Sequence, residues 1–528
     1  MTDVLQDPPS ARPLDGPSRV AIVTLGCGRN EVDSDQLAGL FDQQGIVVVD
    51  EPDDADVVLV NTCTFIAPAK QESIDTVLAA CDLKDPDQGG GVRGVVVVGC
   101  MAQRYPQDLA DSIPEADTVV GFAGYPSLPG VVADLMAGRA VDRMIGFDDE
   151  PAPEAAPRRD LPLVSISSTP SAPAAPWLAA VPEQDHGDAP ATPSGTAQDD
   201  LDRIPESGPR FPVRARLDDR PWAYLKIASG CDRLCTFCAI PSFRGRFRSR
   251  PLDELLAEAS WLSSQGVREL VLVSENTTSW GKDLDAWAGT PGGRSLQATM
   301  LRELAAVDGI ERLRLMYLQP AELQPALIEA MADIDAVVPY FDLSLQHVSD
   351  PVLTRMARSG SPERFGALMG RIRDLAPDAV FRSNFILGFP GETDHDVDVL
   401  EDFLSEQRLD WVGLFTFSRE DGTPSDHLDD QVPEAVARER LERIASVQEQ
   451  VADEATRAFV GRRLDVLVEE RLDGELVGRS YREAPDTDGE VRLVTPQGVV
   501  PDLPIGRMVS ATVVDADGVD LIAEVDGQ

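Results

Sequence analysis

No stretch of this chain stays apolar for the roughly 20 residues that cross a bilayer, and no membrane-spanning role is expected. Met1 to Ser18 is acidic and proline-rich and lacks the charged-then-apolar pattern of a secretory signal. Basic residues are scarce: 47 Lys and Arg stand against 91 Asp and Glu, a formal net charge of −44. So acidic a surface repels nucleic-acid phosphates at long range and attracts basic partners. Acidity can equally be a general solubility bias. The four histidines, His186, His347, His395 and His427, show no metal-ligand spacing. Cysteine is sparse as well, with seven in 528 residues. A reducing cytoplasm is the expected location, and thiols there do not settle into structural disulfides. The seven are therefore read first as ligands or catalytic groups.

The chain is long enough for about three domains, each with its own core. Residues 18–147 alternate β-branched strands, at 20–25, 57–61, 95–99 and 118–120, with helical stretches at 32–43, 68–80 and 103–112. Buried strands separated by helices imply a parallel sheet. Residues 148–218 are rich in Pro, Ala and Asp and offer little to bury, so they read as a disordered linker or insertion. Residues 219–450 carry six strand candidates, most followed by helices, which suggests a partial (β/α)6 barrel with its reactive face at the strand carboxyl ends. Residues 458–528 hold five short alternating strands and suggest a small β-barrel. The expected fold class is α/β multidomain with that terminal barrel.

The sharpest motif is Cys231-Asp-Arg-Leu-Cys235-Thr-Phe-Cys238, just after the first barrel strand. Thiolates at this spacing on a tight loop can hold three irons of a 4Fe-4S cluster. The fourth iron stays open to a ligand with adjacent amine and carboxylate groups, such as S-adenosylmethionine (SAM). Zinc is the alternative, although it usually takes paired knuckles and four protein ligands. Cys27, Cys63 and Cys100 each follow a strand of the amino-terminal sheet, at the edge where such sheets build sites. Singly, each would more often be a buried small hydrophobe. Three in the same topological place can converge on a second cluster. Cys81 ends a helix pattern and reads as structural.

These motifs resemble those of the radical SAM methylthiotransferases. Phe237, before the last cysteine of the loop, is a further mark of radical SAM enzymes. Leu25-Gly-Cys-Gly-Arg-Asn30, Val60-Asn-Thr-Cys63 and Gly99-Cys100-Met-Ala-Gln-Arg104 match the family's three amino-terminal cysteine motifs. Cys238-Ala-Ile-Pro241 with Arg244-Gly245 continues the match, and the last barrel is placed like a TRAM domain. The resemblance implies two 4Fe-4S clusters, on Cys231, Cys235 and Cys238 and on Cys27, Cys63 and Cys100, with SAM as cosubstrate. It also points to Gly266 and Glu269 near the SAM amine and to Gly388 and Glu392 along the adenosyl group. Ser274-Glu275-Asn276 departs from the family's usual Gln-Asp pair.

Leu315-Met-Tyr-Leu-Gln-Pro320, Asp342-Leu-Ser-Leu-Gln-His347 and Phe417-Ser-Arg-Glu-Asp-Gly-Thr-Pro424 resemble the branch that modifies an aspartate on small-subunit ribosomal protein twelve. The other branch modifies isopentenyl-adenosine in tRNA. Residues 461–528 contain seven Arg, no Lys and 15 Asp and Glu, which suits a basic protein substrate better than RNA. An electron donor such as flavodoxin or ferredoxin is implied. A non-catalytic iron–sulfur carrier is the reading from another class, but carriers normally use four cysteine ligands where each set here has three. Arg244, Arg246, Arg248 and Arg250 form a basic run; such clusters can contact nucleic acid, but beside a cluster loop and a domain junction this one is expected to neutralise nearby carboxylates.

Overall fold

The computed structural model describes residues 17–85, 91–147, 214–284 and 296–526. Residues 148–213, most of the segment read as a linker, lie outside them.

Strands β1 (Arg19–Thr24), β2 (Val47–Val49), β3 (Val57–Thr62), β4 (Gly94–Val98), β5 (Thr118–Val120) and β6 (Met144–Ile145) form one parallel sheet in the order β2-β1-β3-β4-β5-β6. All six residues of β3 are buried, because both faces of the sheet are covered. Val58, Val60, Val95 and Val97 pack on one side with Val77 and Ala80 of the helix Ala67–Asp82. Val57, Leu59, Val96 and Val98 pack on the other with Leu37 and Phe41 of the helix Gly28–Gln43. Continuous runs of valine are what a doubly covered parallel sheet requires. The helix begins at Gly28 rather than at Val32, since its first two turns carry Asn30 and Asp33, polar residues that are nonetheless fully buried. The third predicted helix is two, Gly99–Arg104 and Pro106–Ser112, broken where Pro106 lacks an N–H to continue the ladder.

Strands β7 (Trp222–Lys226), β8 (Ala228–Ser229), β9 (Arg248–Ser249), β10 (Glu269–Val273), β11 (Arg312–Leu315), β12 (Tyr340–Asp342), β13 (Val380–Leu387) and β14 (Trp411–Thr416) build the central domain. One parallel trio is β11-β10-β7 and another β12-β13-β14. Parallel bridges Leu313↔Val337 and Leu318↔Leu343 join them. Spatial order thus follows chain order, and six β/α units curve into an open barrel, as expected from the sequence. The helix Gly28–Gln43 packs on β7, close enough that a Cβ on Gly28 would lie 2.5 Å from the Tyr224 ring.

The helix Glu434–Arg457 leads into β15 (Arg463–Leu472), β16 (Glu475–Arg479), β17 (Val491–Val494), β18 (Met508–Asp517) and β19 (Asp520–Val525), a closed barrel in the order β15-β16-β17-β19-β18. This barrel docks on the amino-terminal ends of the central strands. Arg312 donates to the carbonyls of Arg479 and Ser480, Tyr340 Oη to Asp488 at 2.6 Å, and Trp411 Nε1 to the Arg482 carbonyl at 2.8 Å. The carboxyl ends stay clear for the cysteine loops. Among the described residues, no helix is long and apolar enough to cross a membrane.

Candidate functional site

Cys27 is the N-cap of the helix Gly28–Gln43, Cys63 directly follows β3, and Cys100 is the second residue of the helix that follows β4. All three therefore stand at the carboxyl edge of one sheet. The turns are specific to glycine: Gly99 has φ +93° and a Cβ there would lie 2.4 Å from Asn61 Oδ1, while Gly26 has φ +97° and would meet Cys63 Sγ at 2.8 Å. Asn30 ties the loops together. Its Nδ2 donates to the carbonyls of Leu25 and Thr62 (2.8 and 3.1 Å), and its Oδ1 faces the Cys100 thiol at 3.5 Å. Ser73 Oγ accepts from Cys63 N–H and donates to Cys63 C=O, both at 2.9 Å.

The three thiols differ in acidity. Burial pushes the Cys63 thiol up to about 11, and its neighbours Cys27 and Cys100 add to the rise. Burial also raises Cys100, against Arg244. At Cys27 burial is outweighed by Arg29 and Arg244, which leave its thiol below the ordinary value. Cys27 is thus the first of the set to ionise.

Cys231, Cys235 and Cys238 occupy the loop after β8. Cys231 N–H donates to Gly245 C=O (3.1 Å) and Cys238 N–H to Cys235 C=O (3.1 Å), while Thr236 is held on Met356 C=O and Arg355 C=O. Arg233 anchors the loop through Glu322 at 2.6 Å. Burial raises Cys231 to about 12 and Cys238 to about 11, with the neighbouring thiols raising both further. Arg358 Nη1 stands 3.5 Å from Cys235 Sγ. Phe237 sits edge-on to Phe389, centroids 6.4 Å apart, and Phe389 in turn to Phe417 at 5.1 Å.

Buried thiols crowded together in this way need a strong positive centre before they ionise. Among the described residues, no three His, Cys, Asp or Glu side chains converge closely enough for a single metal ion. Among those residues each set offers three thiols and no fourth protein ligand, whereas structural zinc sites take four and iron–sulfur clusters take cysteine thiolates. The donor chemistry of both sets therefore fits iron–sulfur clusters.

Salt links set the two domains face to face. Asp33 accepts from Arg244 at 3.0 Å and from Lys226, and all three side chains are buried. Arg244 also donates to Asn30 Oδ1 (2.9 Å) and Cys100 Sγ (3.0 Å). Glu420, in the Phe417–Pro424 motif, takes Arg104 at 2.7 Å and Lys70 at 3.0 Å from the amino-terminal domain. Between the two thiol sets lie Arg29, Glu275 and Tyr317. Arg29 reaches Cys27 Sγ at 3.4 Å, Glu275 at 3.7 Å and the Tyr317 ring at 5.2 Å. Within the basic run, Arg244 pairs with Asp33 and Arg250 with Glu258 at 2.8 Å.

Four residues expected near SAM divide into two pairs. Gly388 and Glu392 follow β13 at its carboxyl end, and Gly388 N–H donates to Glu392 Oε1 at 2.9 Å. Gly266 and Glu269 lie elsewhere. Glu269 is the first residue of β10, level with Trp222 at the start of β7 and so at the barrel end opposite the cysteine loop. Its carboxylate is enclosed by Arg314 (2.8 Å), Arg479 (3.2 Å) and Arg312 (3.5 Å). Burial works against ionisation there, but Arg479, Arg314 and Arg312 hold the carboxyl down to about 2. Glu269 therefore serves the junction with the terminal barrel, and Gly266 stands in the turn that leads into the same strand end, bonded to the Ser263 carbonyl, rather than beside the cysteine loop. Glu275 occupies the carboxyl end of the same strand and acts on Cys231 and Cys238. Its signal was available, because Ser274-Glu275-Asn276 was the one motif departing from the expected pattern. Arg29 and Tyr317 lay inside matched motifs without a role.

Three separate family descriptions match: residues 19–121, Uncharacterized protein family UPF0004; residues 225–404, the Radical SAM superfamily; and residues 460–525, the TRAM domain. A protein of Kineococcus radiotolerans named ribosomal protein uS12 methylthiotransferase RimO is 46% identical over 97% of this chain and 98% of its own length. Proteins of the same name from Saccharopolyspora erythraea (45%, covering 96% and 94%) and Streptomyces coelicolor (46%, covering 96% of each) are similar to the same extent. Among solved structures, the radical SAM methyltransferase TsrM of Kitasatospora setae aligns with 16% identity and a TM-score of 0.49 over 78% of this chain and 77% of that one.

Proposed function

Because the chain belongs to the ribosomal protein uS12 methylthiotransferase family, we propose that it transfers a methylthio group to the β-carbon of an aspartate in uS12. Two 4Fe-4S clusters and SAM are its cofactors, and the cytoplasm is its site of action. The observation that carries this reading is the pairing of two three-cysteine sets on different domains, held face to face by Arg244 and Lys226 on Asp33.

When bound, the clusters and SAM supply the one-electron chemistry and the methylated sulfur needed at an unactivated C–H bond, which acid–base groups alone cannot provide. The chain's own residues hold and orient. Cys231, Cys235 and Cys238 would carry one cluster, and three ligands leave its fourth iron for the amine and carboxylate of SAM. Phe237, packed edge-on against Phe389, anchors that loop to the strand end that carries Gly388. Gly388 and Glu392 shape the strand end beside it, with Arg440 fixing Glu392 at 3.0 Å. Cys27, Cys63 and Cys100 would carry the second cluster, with Asn30 and Ser73 setting the loops that present them. Electrons would come from a small carrier such as flavodoxin or ferredoxin.

The terminal barrel carries eight net negative charges in residues 461–528, which favours a basic ribosomal protein over tRNA. The test incubates reduced, cluster-loaded protein with SAM, sulfide and either uS12 or isopentenyl-adenosine tRNA, followed by mass spectrometry. The methylthio increment is expected on uS12 alone. Its appearance on tRNA alone would overturn the substrate assignment.

A further inference from the structure

The two thiol sets dictate where a substrate carbon must lie. A carbon that loses hydrogen beside one set and gains sulfur from the other has to sit between them. For an aspartate, the carboxylate is bonded directly to that β-carbon, so its oxygens enter the same gap. An anion entering the interior of a chain with a net charge of −44 needs a cation waiting there.

Among the described residues, three arginines reach a cysteine sulfur. Arg244 is committed to Asp33, Asn30 and Cys100, with Phe122 beneath it at 4.7 Å. Arg358 is committed to Gln319 (2.9 Å), the Ser344 carbonyl and Cys235. Arg29 differs. Only its Nε is engaged, donating to Cys27 Sγ at 3.4 Å; the contact of its terminal nitrogen with Glu275, at 3.7 Å, is longer than a hydrogen bond, and its guanidinium lies over the Tyr317 face. It acts electrostatically on Cys27 and Cys63 of one set and on Cys238 of the other. Two further features mark this spot. Tyr317 is held at φ +61°, a left-handed conformation costly for an aromatic residue and characteristic of functional sites. Glu275 Oε2 is buried without a hydrogen-bond partner, so this carboxylate steadies Arg29 by charge across 3.7 Å and takes up none of its N–H donors.

We propose that Arg29 recognises the substrate: its guanidinium, laid on Tyr317 and steadied by Glu275, takes the carboxylate of the target aspartate and makes the enzyme select aspartate over asparagine. A planar fork matches a carboxylate with paired hydrogen bonds, whereas the isosteric amide would turn an N–H₂ donor toward a donor. This inference rests on the aspartate-modifying reading above.

The test measures binding without turnover. Cluster-loaded, full-length protein with SAM and no reductant is titrated with uS12 and with uS12 carrying Asp→Asn at the modified position. Wild type is expected to prefer the aspartate form by on the order of tenfold to a hundredfold. Arg29→Gln should bind both forms alike, and Arg29→Lys should keep part of the preference. The ratio is taken within each variant, so partial misfolding cancels. Wild-type preference surviving in Arg29→Gln, or no preference in wild type, would overturn the inference. If wild type neither binds nor modifies uS12, the substrate reading itself falls and takes this inference with it. That failure is recognised because it shows before any substitution is made.

Discussion

Arg244 of the central barrel places its Nη2 3.0 Å from the Sγ of Cys100 in the amino-terminal domain. The same guanidinium closes an ion pair with Asp33 at 3.0 Å, between side chains that are all but inaccessible. One residue therefore couples domain docking to the geometry of a thiol.

Replacing Arg244 by Ala leaves Asp33 buried with Lys226 as its remaining cation and Cys100 without its donor. Breaking a buried pair in this way costs about 3–5 kcal/mol. The expected outcome is a lowered denaturation midpoint together with loss of iron from the amino-terminal set. Iron analysis and denaturant titration of the reconstituted protein check it. Arg244→Lys, which keeps the charge but not the fork, should fall between.

The two cysteine sets are built on separate scaffolds, a sheet edge and a barrel loop, so they should load independently. Reconstituted wild type is expected to carry close to eight irons, as two four-iron centres. A triple variant, Cys231→Ala with Cys235→Ala and Cys238→Ala, should keep about half that iron and cleave no SAM. A drop to no iron would show that the amino-terminal set does not hold a cluster alone.

Cys81 lies in the helix Ala67–Asp82, where it packs with Val77 and Ala80, and burial raises its thiol to about 11. It is a small core residue. Cys81→Ala should leave iron content and methylthio transfer near wild type and cost about 1 kcal/mol or less of stability, whereas Cys63→Ala should abolish transfer while SAM cleavage stays measurable. Loss of iron in Cys81→Ala would contradict the placement of this thiol.

Glu269 ties the terminal barrel to the central one. Its folded carboxyl is held near 2 against an ordinary 4.5, so the unfolded chain binds its proton first as pH falls. The group therefore contributes stability that is complete above about pH 4.5 and is lost as pH drops toward about 2, amounting to about 3 kcal/mol. Glu269→Gln should lower the unfolding midpoint at pH 7 and flatten its decline between those pH values. Thermal unfolding of both proteins across that range is the measurement.

Much of the site was legible before the fold was seen. Cys27, Cys63 and Cys100 each follow a valine-rich run, and such runs announce strands whose ends share an edge. The three loop cysteines were legible from spacing alone. Gly266 and Glu269 were legible as the entry to a strand, which they are; what the sequence did not carry is that this barrel end meets Arg312, Arg314 and Arg479 rather than the cysteine loop.

By itself, the amino-acid order determined the α/β class, the open barrel, the terminal β-barrel and the six candidate ligands. Apolar periodicity says which faces are buried, and short spacings say which thiols can share a centre. Only the tertiary structure decided that Arg244 meets Asp33 across 211 positions of chain, that Glu269 belongs to a domain junction, and that Arg29, Glu275 and Tyr317 stand between the two thiol sets. A charged side chain leaves no local trace of its partner. Coulomb attraction acts through space, so the pairing is settled when the domains dock and desolvate it.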